Sequence, residues 1–114
     1  MSNAPLVIHL PESGPLDDRG RLVHEDDPAA QLALSLVGLE SAVTEAGHEV
    51  SDLNRIRIRT LDVRVLDEVF DVLTERLQFL GADPEIEVVE TEGFEVPGTL
   101  MTLQATITLT KEQV

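Results

Sequence analysis

"NRIRIRTLDVRVLDEVFDVLTERLQFLGADPEIEVVE", residues 54–90, is the stretch that decides the fold. It opens with strict alternation. Ile56 and Ile58 face one way and Arg55, Arg57 and Arg59 the other, the period of a strand with one apolar face. Asp62 then supplies a helix cap. Leu66, Phe70 (or Val69), Leu73, Leu77 and Leu80 recur every three or four residues, so a helix with one apolar stripe follows, and Gly81 ends it. "PEIEVV", residues 84–89, returns to alternation, with Ile86 and Val88 opposite Glu85 and Glu87. Strand, helix and strand in that order permit a right-handed crossover.

The flanks extend the pattern. Upstream, Leu6 to Leu10 is β-rich and stops at Pro11. Gly14, Pro15 and Gly20 punctuate a turn region, and a short strand is expected from Arg21 to His24. Asp27 caps a second helix, Pro28 suits its first position, and Leu32, Leu36, Leu39 and Val43 give its apolar stripe from Ala29 to Ala46. Downstream, "TEGFEVPG" is a loop. Thr99 to Thr110 is the longest strand, with Leu103, Ala105, Ile107 and Leu109 on one face and Thr102, Gln104, Thr106 and Thr108 on the other. The predicted order is β-β-α-β-α-β-β: a two-layer α+β domain over residues 1–114, both helices on one face of the sheet. The opposite face is polar. Pairing of the arginine row with Glu85 and Glu87 accounts for its charges.

Composition bounds the partners. The 114 residues carry 22 acidic against 8 basic side chains, a net charge of −14. Phosphate recognition needs clustered Lys and Arg, so nucleic acid and anionic membrane are poor partners. The three aromatics are all Phe and offer no base-stacking platform. The chain has no cysteine, which leans toward the cytoplasm. Its first residues lack the basic region of a signal peptide, and no apolar run approaches a membrane span. His9, His24 and His48 are far apart and none has metalloprotease spacing. The glycines form no phosphate loop, and no serine sits in a nucleophile elbow. No cofactor or metal is expected.

Four segments in order, "PLDDRGRLV", "LESAVTEAG", "SDLNRIRIRTLDVRVLDEVFDVL" and "IEVVETEGFEVPGTLMTLQATITL", resemble the RidA/YjgF family of imine and enamine deaminases. The resemblance runs almost without gaps from Leu6 to Leu109. Gln31, Arg55 and Asp62 also fall on familiar positions. It implies a chorismate-mutase-like fold and a homotrimer, with sheets inward, helices outward and three clefts between subunits. In typical members an Arg before the fourth strand binds the carboxylate of a 2-imino acid. A Glu on the last strand positions the water that releases the 2-oxo acid and ammonia. Here the Arg position falls on Asp83 and the Glu position on Gln104. A helix Asn falls on Phe70, and a Ser-Gly-Gln falls on Pro11, Glu12 and Ser13. Asp83 repels a carboxylate that Arg would clamp. Gln104 holds water but takes no proton at neutral pH.

Two functional readings follow. In the first, the chain is a RidA-like trimer without the deaminase activity, whose clefts bind nothing specific or a small metabolite through Asp83, Gln104 and Arg57 or Arg59, with Phe70 and Glu12 as further cleft candidates. In that setting Asp83 suits a neutral or cationic ligand, or simply caps the turn before Pro84 or pairs with an arginine. In the second, the chain is a C=N hydrolase with a rewired cleft, using Glu12, Asp83 or Glu85 as base and Arg57 or Arg59 as anion contact. Ribonuclease activity, attached to some relatives, is disfavoured by the charge.

Overall fold

The structure, a computed structural model, describes residues 5–109. Strand β1 spans Leu6–His9, helix α1 Pro28–Glu45, β2 Arg55–Thr60, α2 Val63–Phe79, β3 Glu85–Glu90 and β4 Met101–Leu109. The strands form one sheet in the order β1-β4-β2-β3. β4 is antiparallel to both β1 and β2, whereas β2 and β3 are parallel and joined by α2. Residues 54–90 therefore make the strand–helix–strand unit their periodicity predicts. The last strand was expected to begin at Thr99 and does so two residues later; Thr110 lies outside the described residues.

Both helices start where the sequence places their caps. The Asp27 side chain accepts from the Ala30 N–H, and Asp62 accepts from Arg64 N–H, each satisfying an otherwise orphaned donor of the first turn. Gly47 and Gly81 adopt φ of 82° and 71° just past the two helices, a conformation that costs glycine nothing.

Register separates the two faces of the sheet. Ile56 lies opposite Ala105, Ile58 opposite Leu103 and Thr60 opposite Met101, and all six are buried. They meet Leu32, Leu36, Leu39 and Val43 of α1 and Leu66, Leu73 and Leu77 of α2 in one core. Each large aliphatic side chain so buried contributes about 1.5–3 kcal/mol. On the other face Arg55 lies opposite Thr106, Arg57 opposite Gln104 and Arg59 opposite Thr102.

One element departs from expectation. Arg21 to His24 is not a strand of the sheet; Leu16 and Leu22 form a single bridge instead. The Asp17 carboxylate accepts from the Arg19 and Arg21 N–H groups, both at 2.9 Å, and from Arg21 Nε at 3.0 Å. A side chain that captures backbone donors folds the segment on itself rather than offering it to a ladder. His24 and Asp26, at φ of 61° and 60°, then end any extended run.

Gln31 fastens α1 to the loop before β4. It is fully buried. Its amide donates to the carbonyls of His24 (3.2 Å) and Gly98 (3.0 Å), and its oxygen accepts from Leu100 N–H (2.8 Å). A buried amide is tolerated because these bonds satisfy it.

Candidate functional site

The chemistry-bearing side chains gather on the polar face of the sheet because the strand period of two sends every second residue there. Among the described residues, hollows open on that face at two places. The larger, of about 570 Å³, is lined by His9, Arg55, Arg57, Glu85, Gln104 and Thr106 among others. The smaller, of about 300 Å³, holds Glu12, Arg59, Phe94, Thr99 and Thr102.

In the larger hollow the arginines are already engaged. Arg57 Nε lies 3.2 Å from Glu87 Oε1, and Arg55 lies 3.6 Å from Glu85 and 3.7 Å from Glu87. The parallel register that sets Arg55 beside Glu85 and Arg57 beside Glu87 produces this ladder. The expected pairing of the two rows thus holds for the first two arginines. Gln104, opposite Arg57 on β4, is half-buried and makes no side-chain hydrogen bond among the described residues. Its amide keeps a donor and an acceptor for a ligand or water.

The third arginine behaves differently. Its neighbour on β3 is Val89, because the acids stop at Glu87 and resume at Glu90 on the other face. Arg59 turns instead to Glu12, Nη1 donating to the carboxylate at 2.8 and 3.2 Å. Thr102 Oγ1 donates to the same carboxylate at 2.8 Å, and the Phe94 ring lies 5.1 Å from the guanidinium carbon. Sequence reasoning singled out Arg59 and Glu12 but not their union, nor Phe94 and Thr102. The missing acid at position 89 was the available signal that Arg59 needs a partner from elsewhere.

The other two sequence candidates lie apart. Asp83 is exposed in the turn between α2 and β3, ahead of buried Pro84, in a separate hollow with Thr74, Leu77 and Gln78. Among the described residues it makes no ion pair or side-chain hydrogen bond. Phe70 is half-buried on α2 and packs against the core, on the helix side of the sheet. One chain therefore unites Arg57 with Gln104 and Arg59 with Glu12, but not Asp83 or Phe70 with either pair.

Two carboxyls outside these hollows have perturbed affinities. Asp62 is held below the usual carboxylate range, first by the Arg64 side chain and then by Arg64 N–H. Asp17 is held below it chiefly by the Arg21 N–H. No group of three or more His, Asp or Glu able to hold a metal lies together among the described residues.

This arrangement of two helices over a β1-β4-β2-β3 sheet recurs in solved proteins. The YjgF gene product of E. coli superposes with a TM-score of 0.78, at 19% identity over 91% of this chain and 84% of that one. The chain has the YjgF fold. TdcF of E. coli, solved with bound serine, gives a TM-score of 0.78 at 16% identity, again covering 91% of this chain and 84% of the other. A Mycobacterium tuberculosis member of the YjgF/YER057c/UK114 family gives 0.72 at 24% identity, with coverage of 90% and 79%. No protein-family model and no curated protein matches the chain. The chorismate-mutase-like architecture expected from the sequence is thus the one present, and its likeness to these proteins lies in the fold.

Proposed function

We propose that the chain is a divergent member of the RidA/YjgF family. It assembles as a homotrimer through its polar sheet faces, binds a small metabolite in the clefts between subunits and lacks the family's 2-imino-acid deaminase activity. Cytoplasmic placement belongs to the same proposal. No helix among the described residues is long and apolar enough to cross a membrane.

One observation carries the reading. Every arginine of the polar sheet face has a carboxylate of its own chain within 4 Å, with Arg59 hydrogen-bonded to Glu12, and Asp83 adds a further negative charge at the position that the resemblance assigns to the substrate-binding Arg. A 2-imino acid is held best by a cation whose charge is not already matched by neighbouring carboxylates, ideally an Arg fork that meets both carboxylate oxygens. Gln104 lacks the titratable oxygen that general-base assistance to a water requires. A fold outlives such changes more readily than an activity does. The serine held by TdcF supports a small polar molecule as the kind of ligand such a scaffold accepts.

The assembly is tested by mass in solution. Light scattering at micromolar concentration is expected to give about three times the 12.5 kDa of one chain. A stable monomer would remove the intersubunit clefts and the binding function with them. The missing activity is tested by imine hydrolysis, with no acceleration of 2-oxo acid release expected.

A further inference from the structure

The contact between Arg59 and Glu12 has the form of a bound ligand. Arg59 Nη1 and Thr102 Oγ1 converge on one carboxylate oxygen at 2.8 Å each, and the second oxygen lies 3.2 Å from the same Nη1. Phe94 stands beside the guanidinium, and open space of about 300 Å³ adjoins the group. A small carboxylate entering from solvent would seek these same donors. Its place is taken by a side chain of the protein.

The backbone next to Glu12 is fixed. Ser13 N–H donates to Leu103 O at 2.7 Å, Leu103 N–H donates to Ser13 O at 2.8 Å, and Ser13 Oγ donates to the Ser35 carbonyl at 2.6 Å. Glu12 is therefore a tethered carboxylate, present at the site at an effective concentration of roughly millimolar or more. In the single chain the side chains of the pair are 34% and 36% exposed, so solvent weakens it, and in the proposed trimer the adjoining hollow is the route by which a competitor approaches.

We infer that Glu12 is a specificity-determining residue, filling the carboxylate place at Arg59 and thereby closing this hollow to small carboxylate ligands. The inference rests on the proposed reading of the polar face as a ligand-binding surface, and deepens it. Asp83, where the resemblance expects an Arg, offers no anion contact; Glu12 withholds a further one. With Glu12 in place the hollow offers its hydroxyls and apolar wall to uncharged ligands. With Glu12 gone, Arg59 and Thr102 become two convergent donors for a carboxylate.

Glu12→Ala deletes a methylene and a carboxylate, and acetate supplies those atoms from solution. The experiment titrates acetate into the isotope-labelled full chain while following the Arg59 Nε–H and Thr102 amide resonances, with acetamide as the uncharged isostere. In Glu12→Ala the Arg59 signal is expected to shift and saturate at millimolar acetate, with affinity at least tenfold above wild type and no response to acetamide. Adding Arg59→Met is expected to abolish the shift at Thr102. Glu12→Gln keeps the side-chain shape and guards against misfolding of the alanine variant; it is expected to bind acetate at least threefold more tightly than wild type. Equal acetate affinity in wild type and both variants would overturn the inference, as would an equal response to acetate and acetamide. Turnover of imines by the wild-type chain would overturn the proposed function while leaving this titration intact.

Discussion

At the scale of single residues, position matters more than residue type. Gln31 falls at a position familiar in the resembling family, and its role here is visible in its partners: two carbonyls and one N–H around a fully buried amide. Gln31→Leu keeps the volume and strands all three partners. The expected cost is about 2–4 kcal/mol, read as a lower urea midpoint with an unchanged slope. Asp62 and Asp17 give a second prediction. Their carboxyls bind protons less readily in the folded chain than in the unfolded one, where the usual value is about 3.9. Their stabilisation is complete above that value and is lost as pH falls through the lower, folded value. Asp62→Asn should therefore lower the urea midpoint at neutral pH, and the gap from wild type should narrow below about pH 4. A gap that stays constant into acid would contradict this account of Asp62.

At the scale of elements, β2, α2 and β3 were legible because each has an unbroken period and a clear stop. The apolar stripes of both helices, their Asp caps and the alternation of β4 were legible for the same reason. The segment from Arg21 to His24 was not, since four residues of strand-like composition cannot show that Asp17 will capture the Arg21 N–H and, just upstream, the Arg19 N–H. The candidate site was half legible. The pairing of Arg55 and Arg57 with β3 follows from strand period alone. The union of Arg59 with Glu12, 47 residues away, needs the register of the sheet and the path of the loop after β1. That loop also packs tightly on α1. Ser13 bonds the Ser35 carbonyl, and a Cβ on Gly38 would collide with Ser13 Oγ. Gly38→Ala is expected to cost about 1–3 kcal/mol by overpacking. In a Ser13→Ala background the same change should cost less, and a double-mutant cycle by urea denaturation measures the difference. Purely additive effects would mean that the two positions do not press on each other.

At the scale of the whole molecule, charge and architecture point the same way. A chain with net charge −14 presents its three β2 arginines on one sheet face and engages each with a glutamate. In the proposed trimer this face lies between copies of the chain, and the proposal reads its matched charges as a poor clamp for an anionic substrate. The proposed loss of deaminase activity is the central claim. The most direct measurement generates 2-iminobutanoate from threonine with a dehydratase and follows 2-oxobutanoate release with and without the wild-type protein, beside an active family member. The account predicts a release rate equal to the spontaneous one. Acceleration comparable to that of the active member would contradict it.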